Sequence, residues 1–187
     1  MNRKTQNLVL AAFFLALGMI LPAAIGSVSP TIGAIISPLH IPVLLCGFIC
    51  GKRYGFMVGF LSPLIKIAVY GVPPLFIAIP MCVELAGYGF FTGFMSEKIG
   101  QSAKNIYISL ITAMLSGRLA YGITTYFVTT FALLGSGGGE YTIAAFLTSG
   151  AMLGGIPGII SHIIIVPSVL FAVNHAKVLY ISRTTAS

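Results

Sequence analysis

The sequence predicts an all-α integral membrane protein: a single domain over residues 1–187, with six transmembrane helices and both termini in the cytoplasm. Three observations carry that reading. Of 187 residues, 57% are hydrophobic and 7% charged, and the mean hydropathy is +1.03. A soluble domain of this size needs a polar shell that such a composition does not supply. The apolar runs reach or approach the ~20 residues that cross a bilayer as a helix. Finally, the basic residues lie in short clusters beside those runs, as they do where charge orients a membrane protein.

The elements follow in order. A first helix is expected over residues 7–25. Arg3 and Lys4 ahead of this run resemble the start of a signal peptide. Removing the run would leave an odd number of spans and spoil the charge pattern, so it is read as a retained helix. Residues 26–37, uncharged and rich in Gly, Ser and Pro, read as a loop folding back over a membrane face. A second helix over 39–51 is short unless 31–36 extend it. Lys52 and Arg53 make a tight basic turn before a third helix, 54–70, which contains Pro63. The stretch Gly71-Val72-Pro73-Pro74 breaks the chain. A fourth helix spans 75–96, a polar loop 97–104, a fifth helix 105–134, the flexible sequence GSGGGE 135–140, a sixth helix 142–173, and a tail 174–187. No internal repeat or low-complexity segment is visible.

Charge gives these spans a direction. With both ends inside, the inner segments hold Arg3, Lys4, Lys52, Arg53, Lys98, Lys104, Lys177 and Arg183, eight of the ten basic residues, and the outer loops hold none. The net charge of +7 therefore reads as topology. No basic stripe with interleaved aromatics points to nucleic acid. The place implied is a cell membrane, multi-pass, with the lipid bilayer as solvent.

Two basic residues remain, Lys66 and Arg118, and both fall inside helices, as does Glu84. A charge near the bilayer centre costs at least ~2.5–3.5 kcal/mol on insertion scales, so each needs a reason. One reason is an internal salt bridge from Glu84 to Arg118 or Lys66. The other is a polar binding cavity, in which two cations facing one anion leave positive charge for a substrate carboxylate. A mixed role, with Glu84 orienting Arg118 beside a ligand, combines the two.

Histidine and tyrosine add candidates. His40 starts the second helix and His162 lies within the sixth; each is a packing residue or a ligand group. Tyr88 is one turn from Glu84, and Tyr121 is three residues from Arg118. Each tyrosine thus shares a face with its charged neighbour and offers a flat apolar surface with a hydroxyl. Cys46, Cys50 and Cys82 lie in apolar runs and read as small buried hydrophobes. His40 with Cys46 and Cys50 matches no strong zinc spacing, so no metal is assigned. No cofactor is implied. Ala12 and Ala16 form a small-xxx-small pair that lets another helix approach closely, within this chain or from a partner. There is no P-loop, no HExxH and no GxSxG, so neither ATP hydrolysis nor an enzyme activity is read from the chain.

Together these residues resemble the S components, the substrate-binding membrane subunits of energy-coupling factor (ECF) vitamin transporters. The resemblance covers the whole chain. It rests on Ala12-xxx-Ala16, on HIPVLLCGFICG from His40 to Gly51, on GFMVGFLSP ending at Pro63, on GVPPL from Gly71, on ELAGYG from Glu84 and on GRLAYG from Gly117. It implies capture of a vitamin at the outer face and delivery through a T component driven by two cytoplasmic ATPases. Ala12 and Ala16 would contact the T component, the loop 26–38 would act as a lid, and Lys66, Glu84, Tyr88, Arg118, Tyr121, His162 and His40 would bind substrate. The chain looks most like the pantothenate-type members. Niacin, folate, pyridoxine, hydroxymethylpyrimidine and riboflavin stay open, as do a small intramembrane enzyme and a structural membrane subunit.

Overall fold

The computed structural model describes residues 3–29, 37–134 and 156–185. Among these, six helices follow one another: α1 (Arg3–Val28), α2 (His40–Cys50), α3 (Lys52–Tyr70), α4 (Leu75–Ile99), α5 (Ala103–Leu134) and α6 (Ile156–Thr185). α4 packs against α2, α3 and α5; α1 lies on α2 and α3; α6 reaches α2 and α5.

α2 is the core of the bundle. Every residue from His40 to Cys50 except Ile49 is buried. Its 11 residues rise about 16 Å, roughly half the hydrocarbon thickness of a bilayer. The outer helices show the reverse of a soluble protein: Phe13 and Ile20 on α1, Phe56 on α3, and Leu115 and Leu119 on α5 are exposed. Among the described residues three helices, α1, α4 and α5, are long and apolar enough to cross a membrane. The apolar part of α6, Pro157–Val173, is shorter.

A glycine seam sets the closest approach. A Cβ at Gly55 would collide with the Gly89 carbonyl, one at Gly89 with the Gly55 carbonyl, and one at Gly59 with the Leu85 carbonyl. Gly93 faces the Lys52 backbone in the same way, and Gly47 on α2 faces the Thr92 hydroxyl and the Gly89 carbonyl. Backbones meet here because no side chain stands between them, which is how small residues tighten membrane helix pairs. The seam also fixes register: Gly55 lies opposite Gly89, and Gly59 opposite Leu85.

One end of the bundle collects the basic turns. Lys52 Nζ pairs with Glu97 Oε2 at 2.8 Å, and the Lys52 amide donates to Glu97 Oε1 at 3.2 Å. Lys52 and Lys98 both stand over the Phe94 ring, 5.6 and 5.3 Å from its centre. Gln101 donates to the Phe48 carbonyl at 2.7 Å, and Asn7 to the Cys50 carbonyl at 3.4 Å. These side chains satisfy carbonyls that the end of α2 leaves without helical partners. They also tie the start of α1, the α2–α3 turn and the α4–α5 turn together.

Helix limits differ from the sequence reading in four places, the first being Lys52 and Arg53, read as a turn, which open α3 after Gly51. Residues 26–28, read as loop, belong to α1. The polar loop 97–104 shrinks to a turn at 100–102, because α4 runs on to a left-handed Gly100 (φ 78) and α5 begins at Ala103. The tail is helical to Thr185; it contains no Gly or Pro to stop the helix. The GSGGGE sequence, residues 30–36 and the segment 142–155 lie outside the described residues.

Candidate functional site

Glu84 sits on α4 with 3% of its surface exposed. Three groups surround its carboxylate. Tyr88, one turn further along α4, donates its hydroxyl to Oε1 at 2.7 Å. Arg118 on α5 brings Nε to 3.4 Å from the same oxygen. His40, the first residue of α2, places Nε2 3.9 Å from Oε2. A buried carboxylate is tolerated only where charge and hydrogen bonds replace water, and this one has both.

His162 on α6 completes the group. Its ring stacks on that of His40 with centres 5.4 Å apart, while the Tyr88 ring lies 5.5 Å from His40 on a tilted plane. Both histidines are buried. Both also reach one backbone oxygen: His40 Nδ1 is 3.1 Å, and His162 Nε2 3.4 Å, from the Ser37 carbonyl. Ser37 has a left-handed backbone (φ 48), uncommon for a residue with a side chain. Four helices thus contribute one polar group each or more: α2 His40, α4 Glu84 and Tyr88, α5 Arg118, and α6 His162.

Gly117 makes the arrangement possible. A Cβ there would run into the Tyr88 ring. The glycine before Arg118 therefore lets α5 close on α4 at the level where the two charges meet. Its place directly before an intramembrane arginine was the only hint in the sequence, and spacing alone does not reveal what it faces.

Lys66 stands apart. Continuing the α3–α4 register puts it opposite Ala78, about 9 Å along α4 from Glu84. It is half-buried on the face that Gly55, Gly59 and Ser62 turn inward, with no ion pair to Glu84. Tyr121 is half-buried on α5, one turn past Arg118. Ala12 and Ala16 are both exposed on α1, whereas their neighbour Ala11 is buried. The alanine pair therefore does not serve packing within the described chain. Cys46, Cys50 and Cys82 are buried and form no disulfide.

The polar cluster lies well away from the basic end. Along α2, His40 is ten residues, about 15 Å, from Cys50. The chain matches the family described as ECF transporter, substrate-specific component, over residues 6–170. The protein belongs to that family. The match contains every residue of the cluster and the exposed alanine face. Comparisons with curated proteins and with solved structures found no match. S components are membrane-embedded transport subunits, not enzymes; they bind small-molecule substrates and work with a T component and ATPases.

Proposed function

We propose that this S component captures a small carboxylate-bearing vitamin, pantothenate first, in a pocket built on Glu84, Tyr88, Arg118, His40 and His162, with Tyr121 and Lys66 nearer the mouth. The polypeptide lies in the cell membrane as six spans with both ends in the cytoplasm. In that orientation the basic end faces inward and the cluster opens toward the outer surface. A T component and two cytoplasmic ATPases complete transport, with Ala12 and Ala16 as the contact on α1.

The observation that carries this reading is the Arg118–Glu84 approach. The guanidinium has five donors in a fork, and its Nε lies 3.4 Å from Glu84 Oε1. A fork held in that way is suited to bidentate recognition of a carboxylate. Pantothenate supplies that group, together with hydroxyls and an amide that Glu84 and the histidines can bind. Native mass spectrometry of the purified subunit, followed by calorimetry with pantothenate, tests the reading. The expected result is one tightly bound pantothenate in the absence of ATP. Co-purification of a vitamin without a carboxylate would overturn it.

One observation favours a second reading. Glu84 has Arg118 and His40 on either side, so the pair is close to neutral. A neutral hydroxylated vitamin such as pyridoxine suits a neutral pocket, and the same mass measurement separates the two.

A further inference from the structure

The two histidines share one backbone carbonyl, and that decides what each can offer a ligand. A carbonyl oxygen only accepts hydrogen bonds. His40 therefore donates from Nδ1 and His162 from Nε2, since these are the atoms 3.1 and 3.4 Å from the Ser37 oxygen. In a neutral imidazole the second nitrogen is then a bare acceptor. For His40 that atom is Nε2, and for His162 it is Nδ1. Both are buried and without a hydrogen-bond partner among the described residues. The residues themselves are 7% and 2% exposed.

His40 Nε2 faces another acceptor. It lies 3.9 Å from Glu84 Oε2, too far for a hydrogen bond and with no proton between them while the imidazole is neutral. Two lone pairs turned toward each other in a buried site are unfavourable unless a donor bridges them. His162 Nδ1 is a second buried acceptor without a partner among the described residues, on the ring stacked against His40. We propose that His40 Nε2, His162 Nδ1 and Glu84 Oε2 form an acceptor-only subsite that binds O–H or N–H donors of the substrate. The subsite selects hydroxylated vitamins over those with no donor. This inference rests on the reading of the chain as a vitamin-binding subunit, but it does not depend on which vitamin is bound.

Vitamins differ in the feature the subsite reads. Pantothenate carries hydroxyls and an amide N–H, and pyridoxine carries hydroxyls only. Nicotinate at neutral pH has a carboxylate and a ring nitrogen, all acceptors. Nicotinate would satisfy Arg118 and leave the three acceptors unmet.

The test is calorimetry of the purified subunit in detergent against pantothenate, pyridoxine and nicotinate, in the wild type and two variants. His162→Phe keeps a ring against His40 and removes the acceptor. His162→Asn keeps an acceptor near the position of Nδ1. At least one hydroxylated vitamin is expected to bind at least tenfold more tightly than nicotinate. His162→Phe should weaken that vitamin at least tenfold, and His162→Asn should weaken it less. Tight pyridoxine binding without pantothenate binding would retire the carboxylate reading and leave the subsite standing. Nicotinate as the tightest ligand would overturn the subsite while the family assignment stands. A folded His162→Phe protein, with an unshifted melting curve and affinity within twofold of wild type, would overturn it too. Equal weakening in His162→Phe and His162→Asn would mean that the ring's place rather than its acceptor matters, and that result also counts against the subsite.

Discussion

At the scale of single residues, charge was legible and contact was not. Glu84 and Tyr88, one turn apart on a helix, could be placed on a common face from spacing alone. Arg118 drew attention because an intramembrane cation is costly. His40 and His162 gave no sign of their pairing, since they are far apart in the chain and meet only through tertiary packing. Lys66 looked equivalent to Arg118 in the sequence, yet the helix register places it about 9 Å away from Glu84 along α4. Two substitutions follow. Arg118→Lys keeps a positive charge near Glu84 and removes the planar fork. It is expected to leave the subunit folded and to weaken pantothenate binding by about 1.5–3 kcal/mol, the range for a hydrogen bond to a charged group. Calorimetry reads this directly, and unchanged affinity removes the guanidinium from carboxylate recognition. Gly117→Val places branched carbon where the Tyr88 ring lies. Overpacking of this kind costs about 1–3 kcal/mol. The variant should melt earlier in detergent and bind its vitamin more weakly, because Tyr88 must move off Glu84. Normal binding would show that the ring has another place to go.

At the scale of elements, the helices were readable from apolar length, but their ends and partners were not. α2 shows the difference. Its composition marks it as membranous, while its short length leaves open whether it spans; burial from all sides makes it a core helix. Gly55 and Gly59, and Gly89 and Gly93, have the same four-residue spacing as Ala12 and Ala16. Such spacings are common in membrane helices, and nothing in them says which helix meets which. The structure sets Gly55 against Gly89, Gly59 against Leu85 and Gly93 against Lys52. Gly89 is then the tightest point, approached by both Gly55 and Gly47. Gly89→Leu is expected to force α3 and α4 apart and to lower the detergent melting temperature sharply or abolish folded yield. Gly87→Ala is the matched control, since its Cβ would find only the Gly117 Cα at 3.5 Å, an ordinary contact. Equal loss in both would mean that expression, rather than the seam, governs the result.

At the scale of the whole molecule, the tight seam and the basic-end ties make the bundle a body that moves as a unit. The polar cluster and the exposed alanine face then occupy separate parts of it. Ala12 and Ala16 are exposed on α1, and α1 packs on α2 and α3 rather than on α4, α5 or α6, which hold most of the cluster. A bulky side chain on the open face of α1 therefore has no route to the cluster except through displacement of α2 or α3. It would, however, fill the space a partner helix needs, because small residues allow close approach by leaving it empty. Ala12→Trp and Ala16→Trp are expected to abolish uptake of the labelled vitamin in cells or proteoliposomes containing the T component and ATPases. Affinity of the isolated subunit should remain within about twofold of wild type. The two readouts separate coupling from capture. If uptake persists in both variants, α1 does not dock through this face. If affinity falls along with uptake, the alanines support α2 and hence His40, and the partner surface must lie elsewhere on the bundle.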